Sequence, residues 1–247
     1  MTSRADLNRL SSATSRAVDE AQKTLQRFID SLDLTRPEMV RDELLDFVPR
    51  LTQAYGSLTA QAAADWYERV RAEQVSGSYA ATLGDVVPTD RVQGTVRYAA
   101  GNLFTDTPLD VLSVLNGAVQ RFVAYSGRAT VARNAYHDPA KPRYARVPRG
   151  PKTCAFCEML ASRGWVYHST QTAGLEHEYH DDCHCQIVPE WDKEQSHIAG
   201  YDPDAMYSRY LEAAGVVGNT HDQKAIVAEM RRAFPDNYTD GVIESAT

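Results

Sequence analysis

A chain of 247 residues has room for one large domain or two small ones, and its 43% hydrophobic content is enough for a packed core. Its formal net charge of −7 argues against a general nucleic-acid coat. No apolar run approaches the roughly 20 residues of a membrane span, and the N-terminus from Met1 to Asn8 lacks a signal-peptide core, so the chain is expected to start life in a reducing cytoplasm.

Residues 5–32 read as a long helix. Leu7, Leu10, Thr14, Ala17, Val18, Ala21, Leu25, Phe28 and Leu32 recur at three- and four-residue steps, close to a heptad seam that needs a partner helix. The partner is expected from the same chain, with a second copy as the alternative. Thr35-Arg-Pro-Glu38 has the form of a capping box and opens a second helix carrying Met39, Val40, Leu44, Phe47, Val48 and Leu51. Pro49 is expected to kink or end it. A third helix from Ser57 or Thr59 carries Ala62, Trp66, Tyr67 and Val70, and residues 75–89 read as loop.

A fourth helix spans about 90–103. Thr107-Pro-Leu-Asp110 is a second capping-box pattern, leading into a fifth helix that carries Val111, Leu115, Val119, Phe122, Val123 and Val131 and ends near Tyr136. The Trp and Tyr residues stand at helical spacing and are read as core.

Asp138-Pro-Ala-Lys-Pro142 ends the helical run, and the character changes. Tyr144–Val147, Trp165–Tyr167 and Cys185–Val188 are short strand candidates. Cys154–Ser162 reads as a short helix stopped at Gly164. Two further helices, 203–214 and 221–234, precede a terminal dozen residues expected to fray. The charge is uneven: residues 121–163 hold nine Lys/Arg against two acids, and residues 176–247 hold five against fifteen. The basic stretch, with Arg128, Arg133, Lys141, Arg143, Arg146, Arg149 and Lys152, is a candidate for pairing with the acidic end or for phosphate contact.

All four cysteines fall between positions 154 and 185, as Cys154-Ala-Phe-Cys157 and Cys183-His-Cys185, with His180 three residues before the second pair. A two-residue gap lets both sulfurs point inward from one tight turn. Cys154 and Cys157 would lie at the start of the short helix, where free N–H groups favour thiolates. Cys183 and Cys185, two apart in an extended run, face one side, so both can reach one ion, and His184 faces away. Five candidate ligands, Cys154, Cys157, His180, Cys183 and Cys185, compete for the four places of a tetrahedral zinc. His180 is either the fourth ligand or a hydrogen-bond partner of a sulfur. Reduced, metal-free thiols in a small core, or disulfides formed late, are the competing readings.

The runs Arg146–Tyr167 and Tyr179–Trp191 resemble the MuF-like minor head proteins of tailed phages, of the type found in phages of actinobacteria. That family pairs a CxxC with an HxxCxC, here Cys154/Cys157 with His180/Cys183/Cys185. The resemblance is strong over about 143–191, general over the helical part, and absent from the acidic end. It implies a virion component of the phage head, made in the host cytoplasm and associated with the portal side. Portal or major capsid proteins, and further copies of the chain, are the implied partners.

Enzyme readings are weaker. An HNH-type nuclease needs an activating histidine, for which His177 to Asp182 offer the nearest candidates, but the expected strand, turn and helix do not read around them. A zinc deaminase needs a histidine and glutamate two apart ahead of its CxxC, an order not found here. Thiol redox chemistry needs a βαβ context that is missing.

The sequence therefore predicts a mainly α chain. A helical domain at 1–137 precedes a small α+β module at 143–191 stapled by one structural zinc, followed by an acidic helical tail at 192–247. No catalytic residue is assigned, no membrane contact is expected, and DNA contact is expected to be weak and non-specific.

Overall fold

The computed structural model describes residues 2–150, 152–167, 183–192, 194 and 197–242. The chain is mainly α, with helices α1 (Arg4–Asp30), α2 (Pro37–Ala72), α3 (Thr89–Ala99) and α4 (Asp110–His137) in the first half. Strand β1 (Arg143–Val147), helix α5 (Ala155–Ala161), strand β2 (Gln186–Glu190) and helices α6 (Pro203–Val217) and α7 (Gln223–Ala233) follow.

Ser3 caps α1 through a capping box with Asp6. The expected seam is buried within the chain: Leu7, Leu10, Ala21 and Leu25 are buried, and Phe28 and Leu32 pack partly buried against α2 and α4 neighbours. Phe28 stacks on Phe47 with ring centroids 3.7 Å apart.

The second and third expected helices are one. Helix α2 continues through Pro49, which is buried. Proline removes the N–H that would bond the Leu45 carbonyl, and the Gln93 side chain from α3 donates to that carbonyl at 3.3 Å instead. A tertiary donor thus repairs what the sequence alone reads as a break.

Neither expected threonine cap forms. Arg36 and Leu109 are the N-cap residues of α2 and α4, without side-chain caps. Thr35 donates to Asp33 and Thr107 to Asp110, each at 2.6 Å, so both hydroxyls are spent on neighbouring carboxylates. Helix α3 is followed by a 3-10 segment, Ala100–Phe104, within the expected fourth helix.

The loop 73–88 is pinned along α4. Asn134 exchanges hydrogen bonds with the Thr82 backbone at 2.9 and 2.8 Å, and the Gly84 N–H donates to Thr130 Oγ1 at 2.9 Å. A Cβ at Gly84 would stand 2.4 Å from the Thr130 nitrogen, so only glycine permits this approach.

Strands β1 and β2 pair antiparallel, from Arg143 opposite Glu190 to Val147 opposite Gln186. The strand candidate Trp165–Tyr167 is not a strand: Tyr167 makes a single bridge to Tyr144. Packing crosses the change in sequence character at 137–143. One hydrophobic cluster joins Leu7, Trp66, Tyr67 and Val131 to Tyr144, Trp165, Cys157, Ile187 and Tyr201.

Buried Asp138 ties these parts together. It accepts from Arg71 Nε at 2.8 Å, Tyr67 Oη at 2.9 Å, Trp191 Nε1 at 3.3 Å and the Ala140 N–H at 2.8 Å. The C-terminal helices are a packed element. Ala213, Ala214, Ile226, Val227 and Met230 cover Ala155, Met159 and Leu160 of α5. The fraying expected at the terminus does not extend to Tyr238, which is buried and donates to Glu158 at 2.9 Å. Among the described residues no helix is long and apolar enough to cross a membrane.

Candidate metal centre

The two cysteine arms converge from opposite ends of the small α+β part. Cys154 is the N-cap of α5, and its sulfur accepts the Cys157 N–H at 3.2 Å. Cys157, one turn into α5, faces inward. Gly164, at φ +67, ends the region as expected, in the left-handed conformation that glycine adopts without strain.

The second arm is the extended run Cys183-His184-Cys185 leading into β2. Helix α4 holds it by the backbone. Gln120 Nε2 donates to the Cys183 carbonyl at 3.0 Å, and Arg128 forks to the Cys183 carbonyl at 2.5 Å and the Cys185 carbonyl at 2.9 Å. Both α4 side chains are buried. The alternation expected of an extended run holds, with Cys183 and Cys185 buried and His184 exposed.

The sulfurs of Cys157, Cys183 and Cys185 lie within 4.8 Å of one another. The Cys157 and Cys183 sulfurs are 3.3 Å apart, and Thr153 Oγ1 stands 3.8 Å from the Cys185 sulfur. All four cysteines are free thiols and buried. Hydrogen bonds from the Cys157 and Cys185 thiols pull Cys183 far below the ordinary thiol range, helped by the positive charge of Arg128 and Arg146. Cys157 is pushed up, first by its hydrogen bond with Cys154 and then by Cys183. Cys185 is pushed up by Cys157, by Cys183 and by burial.

This donor set fits a thiophilic cation. A tetrahedral zinc with bonds of about 2.3 Å needs sulfurs roughly 3.8 Å apart, a spacing this group reaches by small side-chain shifts. Metal ligation takes cysteine as thiolate, so a bound dication would be matched by the sulfur charge. Cys157, Cys183 and Cys185 could hold the ion. Cys154 lies beside them, its sulfur engaged with Cys157, but outside the group whose sulfurs are mutually within 4.8 Å. His180 lies outside the described residues, as do the nuclease candidates His177 to Asp182.

A second group, His197 with Asp202 and Asp204 at 3.3 and 3.4 Å, is fully exposed. Asp202 is already engaged as the cap of α6.

The basic stretch is not one surface. Arg128 and Arg146 are buried at the cysteine arm, whereas Arg133, Lys141, Arg149, Lys152 and Arg163 are exposed. Charge counting alone missed this role. The available signal was position: Arg128 stands among Val123, Ala124, Val131 and Ala132, on a helix stretch with little exposed face.

A mainly α core carrying a small two-stranded sheet beside buried cysteines defines the class. The chain belongs to the VG15 protein family, whose description it matches over residues 1–213. It is 31% identical over 121 residues to the Gene 15 protein of Mycobacterium phage D29, across 36% of this chain and 44% of that protein. The matched part thus spans less than half the length of that relative. No solved structure matches the chain.

Proposed function

We propose that this chain is a minor head protein of a tailed phage, of the MuF-like kind, resident in the virion near the portal and without enzymatic activity. The observation that carries the reading is the buried sulfur group clasped by α4. Structural zinc sites are closed and saturated by protein ligands, whereas catalytic ones keep an open position for water or substrate. Membership in a family with a mycobacteriophage relative, and the CxxC and HxxCxC pattern of residues 143–191, support the same reading.

In this reading zinc, one per chain, is held by Cys157, Cys183 and Cys185, with Cys154 or His180 as the fourth ligand. When bound, zinc supplies a covalent-strength crosslink between α5 and β2. The chain's own residues do the rest. Gln120 and Arg128 fix the backbone of the second arm, and the N–H groups opening α5 orient the first. Partners are portal or major capsid proteins and further copies of the chain, with weak, sequence-independent DNA contact at most.

Two measurements test this. Density for the chain in intact particles should sit at the portal vertex, and its absence from purified particles overturns the assignment. Incubation of the purified chain with duplex DNA and magnesium or manganese should give no cleavage. Cleavage abolished by His180→Ala would instead establish the nuclease reading.

A further inference from the structure

The apolar seam of α1 has a gap. Leu7 and Leu10 belong to one hydrophobic cluster and Ala17 and Val18 to another, and between them stand Ser11, Thr14 and Ser15. The gap continues across the bundle. On α4, Ser126, Arg128 and Thr130 separate Val123 from Val131. On α2, Thr52, Gly56 and Thr59 separate Leu51 from Ala63. A buried polar layer is costly unless its groups are bonded. Deep in the bundle the threonines are, with Thr59 Oγ1 donating to the Val123 carbonyl at 2.6 Å and Thr130 Oγ1 to the Ser126 carbonyl at 2.8 Å, whereas the buried Ser126 hydroxyl has no partner among the described residues.

Toward α1 the layer opens into a cavity of about 140 Å³, lined by Ser11, Thr14, Ser15, Gln120, Arg128 and Arg149 and closed on one side by Cys183 and His184. Among the described residues the only carboxylate in its wall is Asp19, against two guanidinium groups. Arg149, reaching in from the loop after β1, donates to Ser15 Oγ. At about 30 Å³ per water, the space exceeds what a single water fills.

We propose that this cavity is a binding site for a tetrahedral oxyanion of the phosphate class. Hydroxyls of Ser11, Thr14 and Ser15 and the Arg149 guanidinium line it as donors, while the Gln120 amide stays on the Cys183 carbonyl. Charge-assisted bonds from arginine are the strongest of these, and arginine's planar fork suits phosphate oxygens. Arg128 adds positive charge from the floor while its Nε and Nη2 stay on the cysteine arm. The anion is either free inorganic phosphate or a phosphodiester of nucleic acid, and the chemistry is the same for both. The proposal does not depend on the head-protein reading.

The test uses the purified full chain and inorganic phosphate, followed by calorimetric titration and by the thermal midpoint against chloride at equal ionic strength. Saturable binding and a raised midpoint are expected. Arg149→Gln, at an exposed position, should weaken binding about tenfold, the scale of one lost charge-assisted bond. Ser15→Ala should weaken it less, and far-UV circular dichroism and zinc content should be unchanged in both. A short duplex of arbitrary sequence that competes with phosphate identifies a nucleic-acid source, and failure to compete identifies the free anion. No saturable binding at millimolar phosphate, or binding that neither substitution weakens, overturns the site.

Discussion

At the scale of single residues, the cysteines and the groups that hold them were unequally visible. The two pairs and their spacing named Cys157, Cys183 and Cys185 directly, because ligand spacing is local. Arg128 and Gln120 were invisible, since their partners lie 55 to 63 residues away along the chain and a positive charge count says nothing about which arginines are buried. Three outcomes follow from the geometry. Cys157→Ser should lower zinc from about one per chain and destabilise the protein by more than about 4 kcal/mol, the range of a lost metal site, read by elemental analysis and denaturant unfolding. Arg128→Ala removes the donor to the buried Cys185 carbonyl and leaves the Cys183 carbonyl to Gln120 alone, which costs about 1–3 kcal/mol and should speed zinc loss to a chelator. Arg128→Lys should rescue little, because one ammonium cannot reproduce the fork. Asp138 gives the pH dependence. Burial alone would raise its pKa, but hydrogen bonds from Arg71, the Ala140 N–H and Tyr67 outweigh burial and hold it below the usual carboxylate value. A depressed folded-state pKa stabilises above the unfolded value near 4 and is lost as pH falls through the folded value. Stability of the wild type should therefore fall below about pH 4, and Asp138→Asn should be less stable at neutral pH with a shallower acid limb.

At the scale of elements, the helices were legible from periodicity and their ends were not. Seam residues such as Leu25 and Val119 recur because one face of each helix meets the core, and that pattern survives any detail of connection. Pro49 and the two threonine boxes misled for a shared reason: the groups that decide them come from elsewhere. Gln93 supplies the donor that Pro49 removes, and Asp33 and Asp110 take the hydroxyls that would have capped α2 and α4. The repair of Pro49 is testable by a double-mutant cycle. Gln93→Ala should cost about 1 kcal/mol, the net value of one hydrogen bond. Pro49→Ala restores the backbone donor to the Leu45 carbonyl, so Gln93→Ala should cost measurably less in that background. Equal costs in both backgrounds would show that Gln93 has no part in carrying α2 through the proline.

At the scale of the whole molecule, the acidic C-terminal segment read as a tail but packs as a lid on the element that carries Cys157. Its count of acids suggests pairing with the basic stretch. That count does not show that Glu158, inside α5, is buried and needs Arg209 of α6 at 2.7 Å and Tyr238 beyond α7 at 2.9 Å. Apolar residues of α6 and α7 bury Met159 and Leu160 on the same side of α5. Truncation after residue 202 therefore removes two supports at once. It exposes an apolar face worth about 25 cal/mol per Å², and it removes both hydrogen-bond partners of Glu158, Arg209 and Tyr238. The expected result is a chain that binds zinc less tightly, because α5 is no longer held against β2. Glu158→Gln in the full-length chain separates the two contributions. It keeps the apolar cover and a hydrogen-bond acceptor for Tyr238 while removing only the charge that pairs with Arg209, so it should retain zinc better than the truncated chain. Zinc retention against a competing chelator, measured side by side, reads the difference. A truncated chain that holds zinc as well as the intact one would show that the α5 arm is fixed by the metal and β2 alone.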